Sequence, residues 1–167
     1  MTSSFEKFGR ALGKGLKGAA NVMNEGKAAE RKDPVIFRTN LRDAPLAEEL
    51  KPADGWVGAK VQFLIDKKIA DADHVVGRTV LKPGARHDNH RLRNCDAFFI
   101  VLKGSGMIYT DHGDTPAAEG DVVYSPRGCW HGFNNTSNED VELLWGWMGA
   151  GSIEDSGYEV HPAIHRS

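Results

Sequence analysis

The sequence predicts an all-β domain, a closed barrel or two-sheet sandwich, on three observations. Short β-prone runs recur between residues 33 and 160, separated by turns built from Gly, Pro and Asp. Nineteen glycines stand among 167 residues, and outside the N-terminal stretch they fall mostly between those runs, where tight turns need them. The third observation is the stretch Gly120 to Asn135, GDVVYSPRGCWHGFNN. Gly120 permits a positive φ as the chain turns into a strand, and Val122 to Ser125 is short and β-prone. Pro126 denies the ladder a donor and stops that strand, Arg127 and Gly128 turn the chain back, and His131 opens the next strand. With a side-chain period of two, His131, Phe133 and Asn135 share one face, so an imidazole is aimed into whatever that face encloses.

Composition narrows the function classes. The chain is one domain's worth of residues, and 40% hydrophobic content suffices for an ordinary core. Twenty-one basic against 23 acidic residues leave a net charge of -2, so no global field favours nucleic acid, and the expected partner is a small molecule. Two cysteines, Cys95 and Cys129, lack CxxC spacing, and no apolar run of signal-peptide or membrane-span length is present. These features lead to the expectation of a cytoplasmic protein. Both cysteines read as small buried or half-buried thiols.

Taken in order, residues 1–32 form a distinct arm. Phe5, Phe8, Leu12, Leu16, Ala19 and Met23 recur at helical spacing, with Lys7, Arg10, Lys14 and Lys17 on the other faces. Gly9, Gly13, Gly15 and Gly18 each cost roughly 1 kcal/mol against alanine, so this amphipathic helix needs a surface to fold against. Packing on the barrel or on a second copy is the favoured reading; contact with an anionic membrane and a targeting role are the less favoured alternatives. Residues 33–160 are expected to be the barrel, and 161–167 a C-terminal tail.

Within the barrel, Val35 to Thr39 is a short β-prone run, and Arg42 to Leu50 has room for one or two helical turns. Val57, Ala59, Val61, Phe63 and Ile65 alternate in a half-buried strand pattern, followed by a solvated turn at Lys67, Lys68 and residues 71–73. His74 to Leu81 is a strand ended by Pro83 and Gly84; Phe98 to Leu102 and Met107 to Thr110 flank the turn Lys103 to Gly106. Residues 111–114 form a tip with an exposed His112. The last long strand, Val141 to Met148, sets Val141, Leu143, Trp145 and Trp147 on one face, and Ser152 to Ser167 trails off as a polar tail.

The spacing G-x5-P-x-G-x2-H-x3-N, filled by Gly120, Pro126, Gly128, His131 and Asn135, resembles the second signature motif of the cupin superfamily, in its small single-domain cupin 2 form. That resemblance covers roughly Asp33 to Tyr158 and implies a jelly-roll β-barrel. Cupins carry an earlier motif in which a Pro-Gly turn leads to H-x-H, then a glutamate, then an aromatic-rich strand ending in glycine. The matching stretch here is PGARHDNHRLRNCDAFFIVLKGSG. Counting forward from Pro83 and Gly84 puts the first ligand histidine at His90, and counting back from the run Ile100 to Gly104 puts the glutamate at Ala97. The second histidine position is Leu92. The resemblance therefore implies a metal site reduced to His90 and His131.

A divalent metal normally takes three or four side-chain donors, so two neutral imidazoles imply no metal, or a weakly bound Fe, Mn, Ni or Zn. Leu92 and Ala97 bring no lone pairs and make the cavity drier. Three residues are candidate substitutes. Asp88 shares strand parity with His90 and Leu92, His87 lies just upstream, and Asp96 faces opposite to Ala97 and would need a bulge to enter. Trp130 beside His131, Trp145, Trp147, and inward Phe99 and Phe133 suggest core packing or a pocket for an apolar or aromatic compound. Arg91, with Arg78 and Arg86, could hold a carboxylate at its mouth. The expected function is binding or transformation of such a compound, with His90 and His131 as the working pair of a metal-independent isomerase, cyclase or lyase. The alternatives are a metal-dependent dioxygenase or lyase using His87 or Asp88, and a non-catalytic binding module. A homodimer is expected.

Overall fold

β2, His74–Leu92, is the longest strand of the computed structural model, which describes residues 36–162. The helical arm expected over 1–32 lies outside the described residues. The other strands are β1 (Trp56–Ile65), β3 (Asp96–Lys103), β4 (Ser105–Thr110), β5 (Thr115–Ala118), β6 (Val122–Ser125), β7 (His131–Asn134), β8 (Val141–Met148) and β9 (Tyr158–Val160). Two one-turn helices, α1 (Lys67–Ala70) and α2 (Ile153–Ser156), punctuate them.

All pairings are antiparallel, in the order β5-β4-β7-β2-β8-β3-β6, with β1 and β9 also on β2. The first part of β2 pairs residue for residue with β8, from His74↔Met148 to Leu81↔Val141. Its second part pairs with β7 and then β9. One strand thus feeds two halves of a curled sheet, the jelly-roll arrangement. Pro83 and Gly84 do not end the strand, as their turn propensity led us to expect; they bend it, with Gly84 at φ 78°.

Asn135 clamps that bend. Its backbone N–H donates to the Ala85 carbonyl at 3.0 Å, and its own carbonyl accepts from the Gly84 N–H at 3.0 Å. The side-chain amide donates to the Leu81 carbonyl at 2.8 Å and the Glu139 carbonyl at 2.7 Å, while Oδ1 accepts from the Ser137 N–H at 3.0 Å. Asn135 is only 1% exposed, so these groups have little water to fall back on.

The inner face of β8 is the expected one: Val141, Leu143, Trp145 and Trp147 are all buried. Trp145 donates its indole N–H to Thr79 Oγ1 at 2.9 Å and lies over Gly77, where any side chain would collide with the indole. Four local expectations are corrected. Residues 36–39 form no strand, and Arg42 to Leu50 forms no helix; Asn40 instead folds a turn, its Oδ1 accepting from the Arg42 N–H at 2.9 Å. Alternation in β1 slips at Phe63–Ile65, so Leu64 rather than its neighbours is buried there. Residues 152–160 do not trail off, whereas 163–167 lie outside the described residues: Ser152 caps α2, accepting from the Asp155 N–H at 3.1 Å, Gly157 turns the chain at φ 66°, and β9 returns onto β2.

Replacing Asn135 with alanine takes the side-chain donor from the buried Leu81 carbonyl and leaves the Glu139 carbonyl only the Ser137 hydroxyl, at about 2–3 kcal/mol in all. The melting temperature of Asn135→Ala should fall by roughly 4–12 °C, at about 2–4 °C per kcal/mol for a domain of this size. An unchanged melt would show that the bend holds without the clamp.

Candidate functional site

Three imidazoles meet inside the barrel. His90 on β2 and His131 on β7 are directly opposed in register, and His87 enters from the same strand as His90. Strict two-residue alternation would put His87 and His90 on opposite faces. A register irregularity between them in the β2–β7 ladder turns both inward, so all three line one cavity of about 50 Å³. Its remaining wall is mostly apolar, formed by Ala97 and Phe99 from β3, Phe133 from β7, and Trp145 and Trp147 from β8, with Thr79 of β2 as a polar member. Trp56, at the start of β1, closes it by stacking on His87 with ring centroids 3.5 Å apart.

The hydrogen bonds fix each tautomer. His90 Nδ1 lies 3.0 Å from the Asp88 carbonyl, and His131 Nδ1 lies 3.1 Å from the Cys129 carbonyl and 3.0 Å from Ser125 Oγ. A carbonyl only accepts, so both rings carry their proton on Nδ1 and leave Nε2 bare. Tyr158 donates its hydroxyl to the Asp54 carbonyl at 2.6 Å, so toward His87 Nε2, 3.0 Å away, the phenol oxygen accepts. His87 is therefore protonated on Nε2 and bare on Nδ1.

Burial is the first cause holding all three histidines below their ordinary range. His87 is pushed further by His131, and His90 by both other rings. All three are neutral at pH 7. The rings of His87 and His90 stack at 3.9 Å with 23° between their planes, whereas His90 and His131 are tilted by 53° at 4.3 Å. A metal ion must lie in the plane of every imidazole it binds, about 2.0–2.1 Å from the nitrogen. Near-parallel stacked planes do not meet within that reach, so His87 and His90 do not share an ion as arranged here. The His90 and His131 planes are not parallel, so that objection does not apply to this pair. Among the described residues no group of three His, Cys, Asp or Glu is disposed to hold a metal, and the full ligand set of a metal centre does not fit this arrangement.

Residues 77–147 match the family model for the Cupin domain. That stretch, from β2 into β8, is a cupin 2-type domain. Over 81 residues the chain is 31% identical to a gentisate 1,2-dioxygenase of Ralstonia sp, covering 48% of this chain and 22% of the dioxygenase. Over 67 residues it is 31% identical to an oxalate-binding protein of Thermotoga maritima, covering 40% and 55% of the two chains. The chain thus spans less than two thirds of these curated relatives. The solved polyketide cyclase RemF from Streptomyces resistomycificus shares the fold, with a TM-score of 0.59 at 20% identity, over 74% of this chain and 91% of the cyclase.

Against the cupin motifs, Ala97 lines the cavity from the glutamate position, whereas Leu92 is buried in the core and does not line it. Asp96 faces outward, where Arg127 Nε donates to it at 3.0 Å and holds its carboxyl below the ordinary range. Asp88 is buried but turned to Arg86, which donates to its Oδ1 at 2.6 Å, so it does not join the imidazoles. Trp130 and Arg91 also lie outside the cavity: the guanidinium sits 4.4 Å over the indole and bonds Glu159 at 2.8 Å. Arg78 is likewise engaged, by Glu142 at 2.5 Å, so the carboxylate clamp expected of these arginines is already filled by the chain's own acids. Cys95 is buried, which pushes its thiol up to about 11. Trp56, Thr79 and Tyr158 escape a motif-based reading. Trp56 and Tyr158 sit outside both motifs, and Thr79 sits in a strand that shows no special composition.

The histidines give the fold a pH signature. Their folded-state pKa values lie below the unfolded value of about 6.5, so the unfolded chain binds more protons as pH falls. Stability is fully present above about pH 6.5 and is lost below it, toward the depressed native values. Thermal melts should therefore fall between about pH 7.5 and 5.5, and His87→Phe, which keeps an aromatic ring against Trp56, should flatten the slope. An equally steep loss in that variant would assign the effect to other groups.

Proposed function

We propose that this cupin barrel binds and transforms a small organic compound by proton transfer at the His90–His131 pair. One arrangement carries the reading: two neutral imidazoles, each anchored through Nδ1–H to a carbonyl, with Nε2 bare beside an apolar wall. A bare Nε2 can take a proton from a substrate, and the imidazolium so formed can return it to another atom, the chemistry of an isomerase, cyclase or lyase. Lowered basicity keeps both rings in the proton-accepting form at neutral pH. A volume of about 50 Å³ admits a reacting group of a few heavy atoms, and the aromatic wall favours an apolar body beside it. The fold itself does not choose among reactions.

A second reading is favoured by one further observation. Nδ1–H bonds to carbonyls also orient metal-ligating histidines, and His87 stands beside the pair with a bare Nδ1. Rotated off Trp56, His87 could complete a three-imidazole site for Fe, Mn, Ni or Zn, as in a dioxygenase.

Elemental analysis of protein purified without a metal-affinity tag, beside mass spectrometry of co-purifying compounds, separates the two. Well under one metal per chain is expected. His131→Ala should lose ligand binding or turnover with a melting shift within about 4 °C, the effect of roughly 1 kcal/mol. A full equivalent of metal that survives dialysis and is lost in His87→Ala would establish the second reading.

We further propose that the protein is a homodimer through the outer face of β3, β6 and β8. Val122 and Tyr124, 71% and 59% exposed, pair with Ile100 and Phe98 on β3, and Met148 extends the face onto β8. Apolar patches of this kind on a sheet support association. Light scattering should give twice the chain mass and a monomer for Val122→Glu/Tyr124→Glu; a wild-type monomer at all concentrations would reject the proposal.

A further inference from the structure

A second cavity, about 290 Å³ in volume, shares Trp56 and Trp147 as walls with the imidazole cavity. Tyr158 joins them, its ring within 14° of parallel to Trp56. Leu50, Ile153 and Val160 complete an apolar lining drawn from the segment before β1 and from α2 and β9. The volume is near the lower end of small-molecule sites. Nothing in the proton-transfer reading uses this space.

Its electrostatics are one-sided. Asp54 is the charged residue of the lining, and no Lys, Arg or His joins it. Asp88 lies close behind: its N–H donates to the Gly55 carbonyl at 2.8 Å, and while Arg86 bonds its Oδ1, its buried Oδ2 has no hydrogen-bond partner. The Tyr158 phenol registers the resulting field, since burial and then Asp54 and Asp88 push its ionisation up. Electron-rich ring faces and a carboxylate with no cation in the lining are the features that hold an ammonium group on an apolar body.

We infer that this outer cavity is a binding site for a small organic cation, an amine carried on an apolar or aromatic body. The assignment goes beyond the proton-transfer reading and does not depend on it, because the site needs neither His90 nor His131.

Two probes of similar shape and opposite charge test it: 2-phenylethylamine and 3-phenylpropanoate, titrated into the full chain while the tryptophan indole N–H signals are followed by NMR. The amine should bind and shift Trp56 and Trp147 but not Trp130, with the acid at least about tenfold weaker. Asp54→Asn should weaken the amine on the order of fivefold, as expected for loss of one partly screened charge contact. Asp54→Lys should reverse the preference toward the acid. Asp54 makes no side-chain hydrogen bond that a variant would break within the fold-defining ladder, and its carbonyl bond to Tyr158 is kept in both variants. His131→Ala should leave amine binding unchanged. Equal affinity for the two probes, no amine binding at millimolar concentration, or unaltered affinity in Asp54→Asn would overturn the inference. Loss of amine binding in His131→Ala would also overturn it, by placing the amine at the imidazoles, whereas failure of the proton-transfer reading would leave these titrations as they are.

Discussion

The amide of Asn135 bonds the Leu81 carbonyl at the point where β2 leaves β8, and its backbone ties Gly84 and Ala85 of β2 to the end of β7. Without that exchange of partners a 19-residue strand would continue along one sheet, carrying His87 and His90 away from β7. The bend converts a flat pairing problem into an enclosure. It brings His90 opposite His131 and leaves the tryptophans of β8 facing the same interior. A single buried side chain, with both of its functional ends satisfied, thereby sets the geometry of the cavity several residues away.

Inside that enclosure polar and apolar demands are kept apart. Each imidazole spends one nitrogen on a carbonyl or phenol and keeps the other bare, so burial does not leave an unsatisfied N–H. The opposite wall is alanine and aromatic carbon. The same burial that makes the site dry also holds the rings neutral, and the bare nitrogens follow from those two facts together.

Much of this was legible in the sequence, for reasons particular to each residue. The run from Gly120 to Asn135 combines a turn glycine, a strand-stopping proline and a period-two face, and β6, the turn and β7 follow from those local preferences. Strand β8 was legible because alternation of Val141, Leu143, Trp145 and Trp147 is uninterrupted. His87 was harder. Parity arguments assume a regular ladder, and the irregularity between His87 and His90 inverts the face; Asp88 and Asn89 carry no glycine or proline to announce it. Tyr158 was hidden for a different reason, since a short strand after a polar turn has no period long enough to read, and its placement comes from stacking and from pairing with β2. The arginines misled because sequence shows charge but not the acid each one meets: Glu142, Asp88 and Glu159 lie far away in sequence or two residues off, and neutralise them.

The attachment of β9 differs in kind from that of the other strands. Besides three ladder pairs, Tyr158 to Leu92, Glu159 to Arg91 and Val160 to His90, it is held by Glu159, which bridges Arg91 at 2.8 Å and Arg93 at 2.6 Å on the surface. Exposed ion pairs weaken as mobile ions crowd around them, with a screening length of about 8 Å at physiological ionic strength and about 3 Å at 1 M. The buried ladders of β2, β7 and β8 are screened far less. Ionic strength therefore acts unevenly on this barrel: salt weakens the two ion pairs that fasten β9 and leaves the ladders that enclose the imidazoles nearly untouched.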